Sequence, residues 1–274
     1  MATEEELPKV TLYWLNQSRS QRILWLLEEL KVPYDIQVFH RNSQGLAPPA
    51  LQKIHPLGKS PVIKVTPPPT GTGGGGGGGE PVVLAESGYM VQYLVEHLPE
   101  GKRLVPERWR EEGLEGKVGG ETEGWRRYQY LMHYCEGSLM PILVMCIVIG
   151  RLKLPPVPFF VRPITSMVAD RIFAQFIFPN AHRNFAMLDD MLATAPDGGP
   201  YLCGSHLTAA DILMSFPLIA ARGRLNAIGP WKDGDWAKEF PRLAAYADLL
   251  EREDGYQRAV RKIEEVDGKF EASL

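Results

Sequence analysis

The sequence predicts two units in series: an α/β unit of about 100 residues, then an all-α unit of about 150. Three observations carry this. Strand and helix patterns alternate up to Pro99; a Glu- and Gly-rich stretch, 107–124, then interrupts the texture; and from Trp125 onward helical spacings dominate with no convincing strand pattern. The boundaries that follow are 1–105 for the first unit, 106–124 for a linker and 125–274 for the helical unit.

Within the first unit, Val10 to Leu15 (VTLYWL) is a short apolar run rich in β-formers, hence a strand. Ser20 to Lys31 places Ile23, Leu26, Leu27 and Leu30 at the i, i+3, i+4, i+7 spacing of an amphipathic helix. Tyr34 to Phe39 reads as the second strand, and Ala50 to Ile54 as a short helix ending before His55-Pro56. Val62 to Val65 and Val82 to Ala85 are two further strands, and Ser87 to Leu98 closes the unit as a helix. The order is β-α-β-α-β-β-α. In the second unit, Trp125 to Gly150 is a long helix, Ile164 to Phe178 follows a proline-rich turn, and Asn180 to Thr194 is a third helix. Thr208-Ala-Ala-Asp211 before an apolar run reads as a capping-box start, and Pro241 to Glu264 supplies one or two more helices.

Composition narrows the function. Thirty Lys+Arg against 33 Asp+Glu give a net charge of −3, without the basic excess that non-specific nucleic-acid binding needs. Apolar residues are 45% and charged residues 23%, enough to bury a sizeable core. Cys135, Cys146 and Cys203 are too few and too far apart for a disulfide framework, which points to a reducing, cytoplasmic setting. The acidic N-terminus lacks the apolar core of a signal peptide. The most apolar stretch, Leu139 to Ile149, falls short of the roughly 20 residues a membrane span requires, so membrane contact is at most peripheral.

Most generic catalytic patterns are absent: no HExxH, no GxSxG, no GxGxxG after the first strand, no CxxC. The glycine run in PPPTGTGGGGGGG (67–79) is not a phosphate loop. The only GKS, Gly58-Lys59-Ser60, has Lys53 where the first glycine belongs and Pro61 directly after it. Residues 66–80 are therefore expected to be a flexible insertion between two strands. What remains is a constellation of three segments: Asn16 to Arg22 (NQSRSQR), His55 to Pro61 (HPLGKSP) and Leu84 to Ser87 (LAES).

On these segments the sequence resembles the cytosolic glutathione S-transferases. The resemblance runs in order through VTLYWLNQSRSQRILWLLEEL, APPALQKIHPLGKSPVIKV, EPVVLAESGYMVQYLVEHL and YLCGSHLTAADILMSFPL. It is most similar to a fungal and bacterial branch whose first helix opens W-L-x-x-S-R-x-x-R. The element order, with a proline at the start of the third strand, is a thioredoxin-like layout. The resemblance implies that Ser60–Pro61 is cis and that the Ser60 main chain pairs with the cysteinyl segment of glutathione like an added strand. It further implies that the γ-glutamyl carboxylate sits at Ser87, its ammonium at Glu86, and the glycyl carboxylate at Lys59. Where such enzymes often carry another basic residue, this chain reads Gly45-Leu46-Ala47, with Arg41 or Lys53 as substitutes.

The catalytic task is to hold the thiol as thiolate. By the same resemblance Ser18, four residues before Arg22, is the first choice to do so, with Asn16, Ser20 and Tyr13 as rivals and helix capping as its competing role. No cysteine occupies this loop, which disfavours the thiol-reductase branches. Tyr130, Met132, Tyr134, Met140, Phe159 and Phe160 are either core or the lining of an apolar electrophile pocket. The implied activity is conjugation of glutathione, the co-substrate, to small hydrophobic electrophiles without a metal, with peroxidase activity as an extension and a homodimer as the expected assembly. A non-catalytic ligand-binding or interaction module, and a glutathione-dependent lyase or etherase, are the alternatives.

Overall fold

β1 (Lys9–Leu15) is buried along almost its whole length, on both of its faces. That is the signature of a central strand rather than an edge. It pairs in parallel with β2 (Tyr34–Phe39), Val10 opposite Tyr34 and Leu15 opposite Phe39. On its other side it pairs antiparallel with β3 (Val62–Thr66), Tyr13 opposite Val62, and β3 pairs antiparallel with β4 (Val82–Ala85), Val62 opposite Ala85. The strand order is β2-β1-β3-β4. Helix α1 (Ser20–Leu30), a 3₁₀ turn at Pro49–Lys53 and helix α2 (Ser87–His97) complete the expected β-α-β-α-β-β-α order of a thioredoxin-like domain. The computed structural model describes residues 7–68 and 79–271. Most of the glycine-rich insertion expected at 66–80 therefore lies outside the described residues.

One sheet face packs Tyr13, Leu15 and Val62 on Leu51 of the 3₁₀ turn, with Phe39, Ile54 and Ala85 around them. Alternation along β1 sends Leu12 and Trp14 to the opposite face.

The chain forms two compact units. Among the described residues the first takes in those up to Val105 together with 251–271, a stretch that helical patterning alone places in the second unit. The returning segment carries the last helix, numbered α9 below (Asp254–Asp267), which packs along α1. Its ring of Tyr256 meets Trp25 edge-on at 5.4 Å. Glu29 of α1 accepts from Trp25 Nε1 (3.2 Å) and Arg103 (2.6 Å), and Glu28 accepts from Arg258 of α9 (3.1 Å).

The second unit, 106–250, opens with the stretch read from sequence as a linker. It is a folded surface loop closed at its neck: Trp109 bridges Glu121, and Thr122 N–H donates to Arg108 O at 2.8 Å. Helix α3 (Glu123–Tyr134) then runs through a π turn (Cys135–Leu139) into α4 (Met140–Gly150). Likewise α5 (Arg162–Ile172) runs through a π turn (Phe173–Ile177) into α6 (Phe178–Ala193). Sequence patterning predicts a break in the second run near Pro179; the helix instead continues through it. A proline lacks the N–H for its i−4 carbonyl and its ring collides with that carbonyl. In both runs the widened turn ends two residues before the proline, Pro141 or Pro179, and the ladder shifts to i−5: Met140 N–H reaches Cys135 O and Phe178 N–H reaches Phe173 O. The central helix of this unit is α7 (Ala209–Ile219), buried at every residue and started by the expected capping box of Thr208 and Asp211. Asp211 also accepts from Tyr246 Oη (2.6 Å) of α8 (Pro241–Arg252) and from Leu202 N–H (3.2 Å).

Candidate active site

The register of the sheet brings the three sequence segments together. Because Tyr13 faces Val62 and Val62 faces Ala85, the residues just past the end of β1, just before β3 and just after β4 lie at one end of the sheet. These are Asn16–Ser20, Lys59–Pro61 and Glu86–Ser87. Ligands of open α/β sheets bind outside strand carboxyl ends, which for β1, β2 and β4 is this end.

The Ser60–Pro61 peptide is cis, as the resemblance implied. Among the described residues no hydrogen bond takes up the Ser60 main-chain N–H or C=O. Its hydroxyl instead turns inward and donates to Tyr13 O at 3.2 Å. Since that proton is spent, the 2.7 Å contact between Ser20 Oγ and Ser60 Oγ has Ser20 as donor. Ser18 Oγ in turn donates to Ser20 Oγ at 2.9 Å. A file of three hydroxyls thus runs Ser18 → Ser20 → Ser60 → Tyr13 O. Ser18 Oγ also accepts the Ser20 N–H at 3.2 Å, a local turn bond; the N-cap position of α1 is Arg19 and no side chain caps that helix, so the capping role named as its competitor is not formed and Ser18 holds a transferable proton beside the start of α1. Ser20, fully buried, is the link that sequence reasoning passed over as a mere rival; its neighbours Ser18 and Ser60 were 2 and 40 residues away, and only folding joins them.

The other rivals have structural work. Tyr13 lies in the apolar cluster under the sheet, its ring 6.4 Å from that of Phe39. Asn16 Oδ1 accepts the Arg41 N–H at 2.8 Å. The Arg41 guanidinium donates to the carbonyls of Asn16 (3.2 Å), Gln17 (3.1 Å) and Gly45 (3.0 Å), holding the loop in which Gln17 adopts φ +49°. Arg41 therefore shapes the loop, while Lys59 and Lys53 are exposed and form no ion pair among the described residues.

Glu86 is exposed and adopts φ +68°, a left-handed conformation unusual outside glycine. This bend ends β4 and sets Ser87 as the first residue of α2, buried, with no hydrogen bond to its hydroxyl among the described residues. The first N–H groups of that helix point out of the sheet end beside a carboxylate that faces solvent. Of the apolar candidates in the second unit, Met132, Tyr134 and Met140 are core, whereas Tyr130, Phe159 and Phe160 are exposed. Among the described residues no group of three or more potential metal ligands occurs.

Two family models match the chain: glutathione S-transferase, N-terminal domain, over residues 18–97, and glutathione S-transferase, C-terminal domain, over residues 169–249. Glutathione S-transferase 3 of Schizosaccharomyces pombe is 33% identical over 224 residues, 82% of this chain and 79% of that protein. Glutathione S-transferase 1 of Saccharomyces cerevisiae is 29% identical over 264 residues, 96% of this chain and 99% of that one. Among solved structures, a glutathione transferase of Phanerochaete chrysosporium cocrystallised with 1-(S-glutathionyl)-2,4-dinitrobenzene superposes with a TM-score of 0.61 at 16% identity, over 95% of this chain and 97% of that one. A glutathione S-transferase of Actinobacillus pleuropneumoniae gives 0.61 at 24% identity, over 96% and 95%. With the fold, the cis Ser60–Pro61 bond and the Glu86–Ser87 corner already in place, these likenesses make one conclusion: the chain belongs to the glutathione S-transferase family.

Proposed function

We propose that this glutathione transferase joins the glutathione thiolate to small hydrophobic electrophiles, with Ser18 as the group that holds the sulfur ionised. The observation that carries the reading is the convergence at one sheet end of an unclaimed Ser60 main chain, the α2 N-terminus and a hydroxyl with a proton to give. In this reading Ser60 pairs with the cysteinyl main chain, Ser87 and the α2 N–H groups take the γ-glutamyl carboxylate, Glu86 takes the ammonium, and Lys59 takes the glycyl carboxylate. Pro61 fixes the turn that presents Ser60.

Lowering a thiol from about 8.5 to about 6.5 needs roughly 2.7 kcal/mol of preference for the thiolate. A hydroxyl donor together with the N-terminus of α1 is of that order. When sulfur arrives, the Ser18 proton turns from Ser20 Oγ toward it. The thiol proton leaves to solvent, the thiolate lone pair forms the carbon–sulfur bond, and the electrophile's leaving group departs with the bonding pair. With an organic hydroperoxide the same thiolate would attack the terminal oxygen, the O–O bond breaking to release the alcohol and leave glutathione sulfenic acid, which a second glutathione converts to glutathione disulfide and water. A cytoplasmic setting belongs to the same proposal, since three widely spaced cysteines do not form the disulfide framework of a secreted domain. A homodimer is part of the same proposal.

The test is retention on immobilised glutathione combined with turnover of 1-chloro-2,4-dinitrobenzene. Retention with turnover is expected. Retention without it would favour a non-catalytic binding module; turnover only of β-aryl ethers would favour the etherase reading.

A further inference from the structure

The exposed apolar surface of the second unit is concentrated at one end of its long helical hairpin. After α4 ends at Gly150, the chain passes through Arg151–Lys153 and a proline-rich turn to the start of α5 at Arg162. Half of the large apolar side chains exposed among the described residues fall between 148 and 176. Phe159 and Phe160, at the turn, are 79% and 70% exposed, and Leu154, Ile164 and Met167 are each more than half exposed. A patch of this kind on a water-soluble unit marks an interaction site.

Its charge identifies the partner. Between 137 and 176 the chain carries Arg151, Lys153, Arg162 and Arg171 against a single carboxylate, Asp170, which pairs with Lys153. The Arg162 Nε donates to Val157 O at 2.8 Å. Among the described residues no carboxylate pairs with Arg151, Arg162 or Arg171. This local cationic excess stands in a chain whose net charge is −3. Exposed aromatic and aliphatic side chains interspersed with arginines along one segment suit the boundary between lipid headgroups and acyl chains. A second copy of the chain suits it less, because a two-fold axis through the patch would bring its arginines toward their own images.

We propose that this hairpin tip docks on the surface of anionic bilayers, Phe159 and Phe160 entering the headgroup layer while Arg151, Arg162 and Arg171 face lipid phosphates. The contact is superficial. The helical run Glu123–Lys153 is long and apolar enough to cross a membrane. However, Arg127 within it donates to the carbonyls of Met191 (2.6 Å) and Thr194 (2.7 Å), and Tyr134 donates to Asn184 (2.6 Å), bonds that crossing would strip in hydrocarbon.

Sedimentation of the full chain with vesicles of phosphatidylcholine, with and without phosphatidylserine, tests this. The protein should pellet with the phosphatidylserine vesicles and be released by high salt. Each of Arg151→Gln and Arg171→Gln should weaken partitioning about fivefold, on the scale of ~1 kcal/mol per basic residue. The Phe159→Ser/Phe160→Ser variant should lose the vesicles while keeping its thermal midpoint; if it does not fold, the arginine variants decide. Failure of the wild type to pellet with phosphatidylserine vesicles would overturn the proposal. So would a phenylalanine variant that keeps its vesicle binding, or one that turns a dimer into a monomer with vesicle binding unmoved.

Discussion

At the scale of single residues, the three-hydroxyl file separates two serines that a sequence cannot tell apart. Ser18 ends the file and has the proton that a bound sulfur would claim; Ser20 is buried in its middle, bonded on both sides. Ser18→Ala should therefore raise the pKa of enzyme-bound glutathione by about one to two units, because the form it stabilises is the charged one. Rate near neutral pH would fall about ten- to a hundredfold with KM little changed, read by titrating thiolate absorbance and by steady-state kinetics. Ser20→Ala should instead cost about 1–3 kcal/mol of stability through the hydroxyls it orphans, with a smaller effect on thiol pKa. An unchanged thiolate titration in Ser18→Ala would remove Ser18 from the mechanism. The cysteines give the complementary expectation. Burial pushes the Cys146 thiol up to about 11, and its Sγ donates to Ile142 O at 3.2 Å. Burial also raises the Cys203 thiol, beside the Asp211 carboxylate. Alkylation of the native protein by iodoacetamide should be slow at pH 8, rise about tenfold per pH unit toward pH 11, and leave conjugation intact.

At the scale of elements, most of the first unit was legible because its signals are local: β-rich runs, one amphipathic stripe, a proline before a strand. The legible part of α1 was the stripe Ile23, Leu26, Leu27, Leu30. Its other side, with Leu24 and Trp25 fully buried, needs a second cover that no local pattern names. That cover is α9. The two helices approach closely at Gly255, where an added Cβ would lie 1.8 Å from Glu29 Oε1 and 2.8 Å from Trp25 Nε1. Gly255→Ala should thus push α9 off α1 or break the Trp25–Glu29 hydrogen bond, for a loss of about 2–4 kcal/mol in denaturant unfolding, a cost of the overpacking kind at a charged contact. Wild-type stability in that variant would mean the two helices have room to part. The π turns were illegible for a different reason. Proline signals a break, and only the continuing helix on its far side shows that the ladder was shifted by one residue instead.

At the scale of the whole chain, the two units are not two consecutive stretches of sequence. A boundary at 105/106 was visible in the change of texture, but the membership of 251–271 was not: helical periodicity says that α9 has an apolar face, not which unit receives it. Tyr256, Ala259 and Ile263 are buried at i, i+3 and i+7, and Glu28 and Glu29 meet Arg258, so this helix brings both apolar and ionic contacts to residues more than two hundred positions away. A fragment ending at Val105 would leave the Trp25 side of α1 in water, together with two carboxylates that lose a guanidinium. It should therefore be marginal or aggregate when expressed alone, with poorly dispersed amide signals. The same fragment mixed with a peptide of residues 251–271 should gain cooperative unfolding, with a midpoint that rises with peptide concentration because the peptide binds only the folded state. If 1–105 folded cooperatively by itself and ignored the peptide, the returning helix would be an accessory of the first unit rather than part of its core.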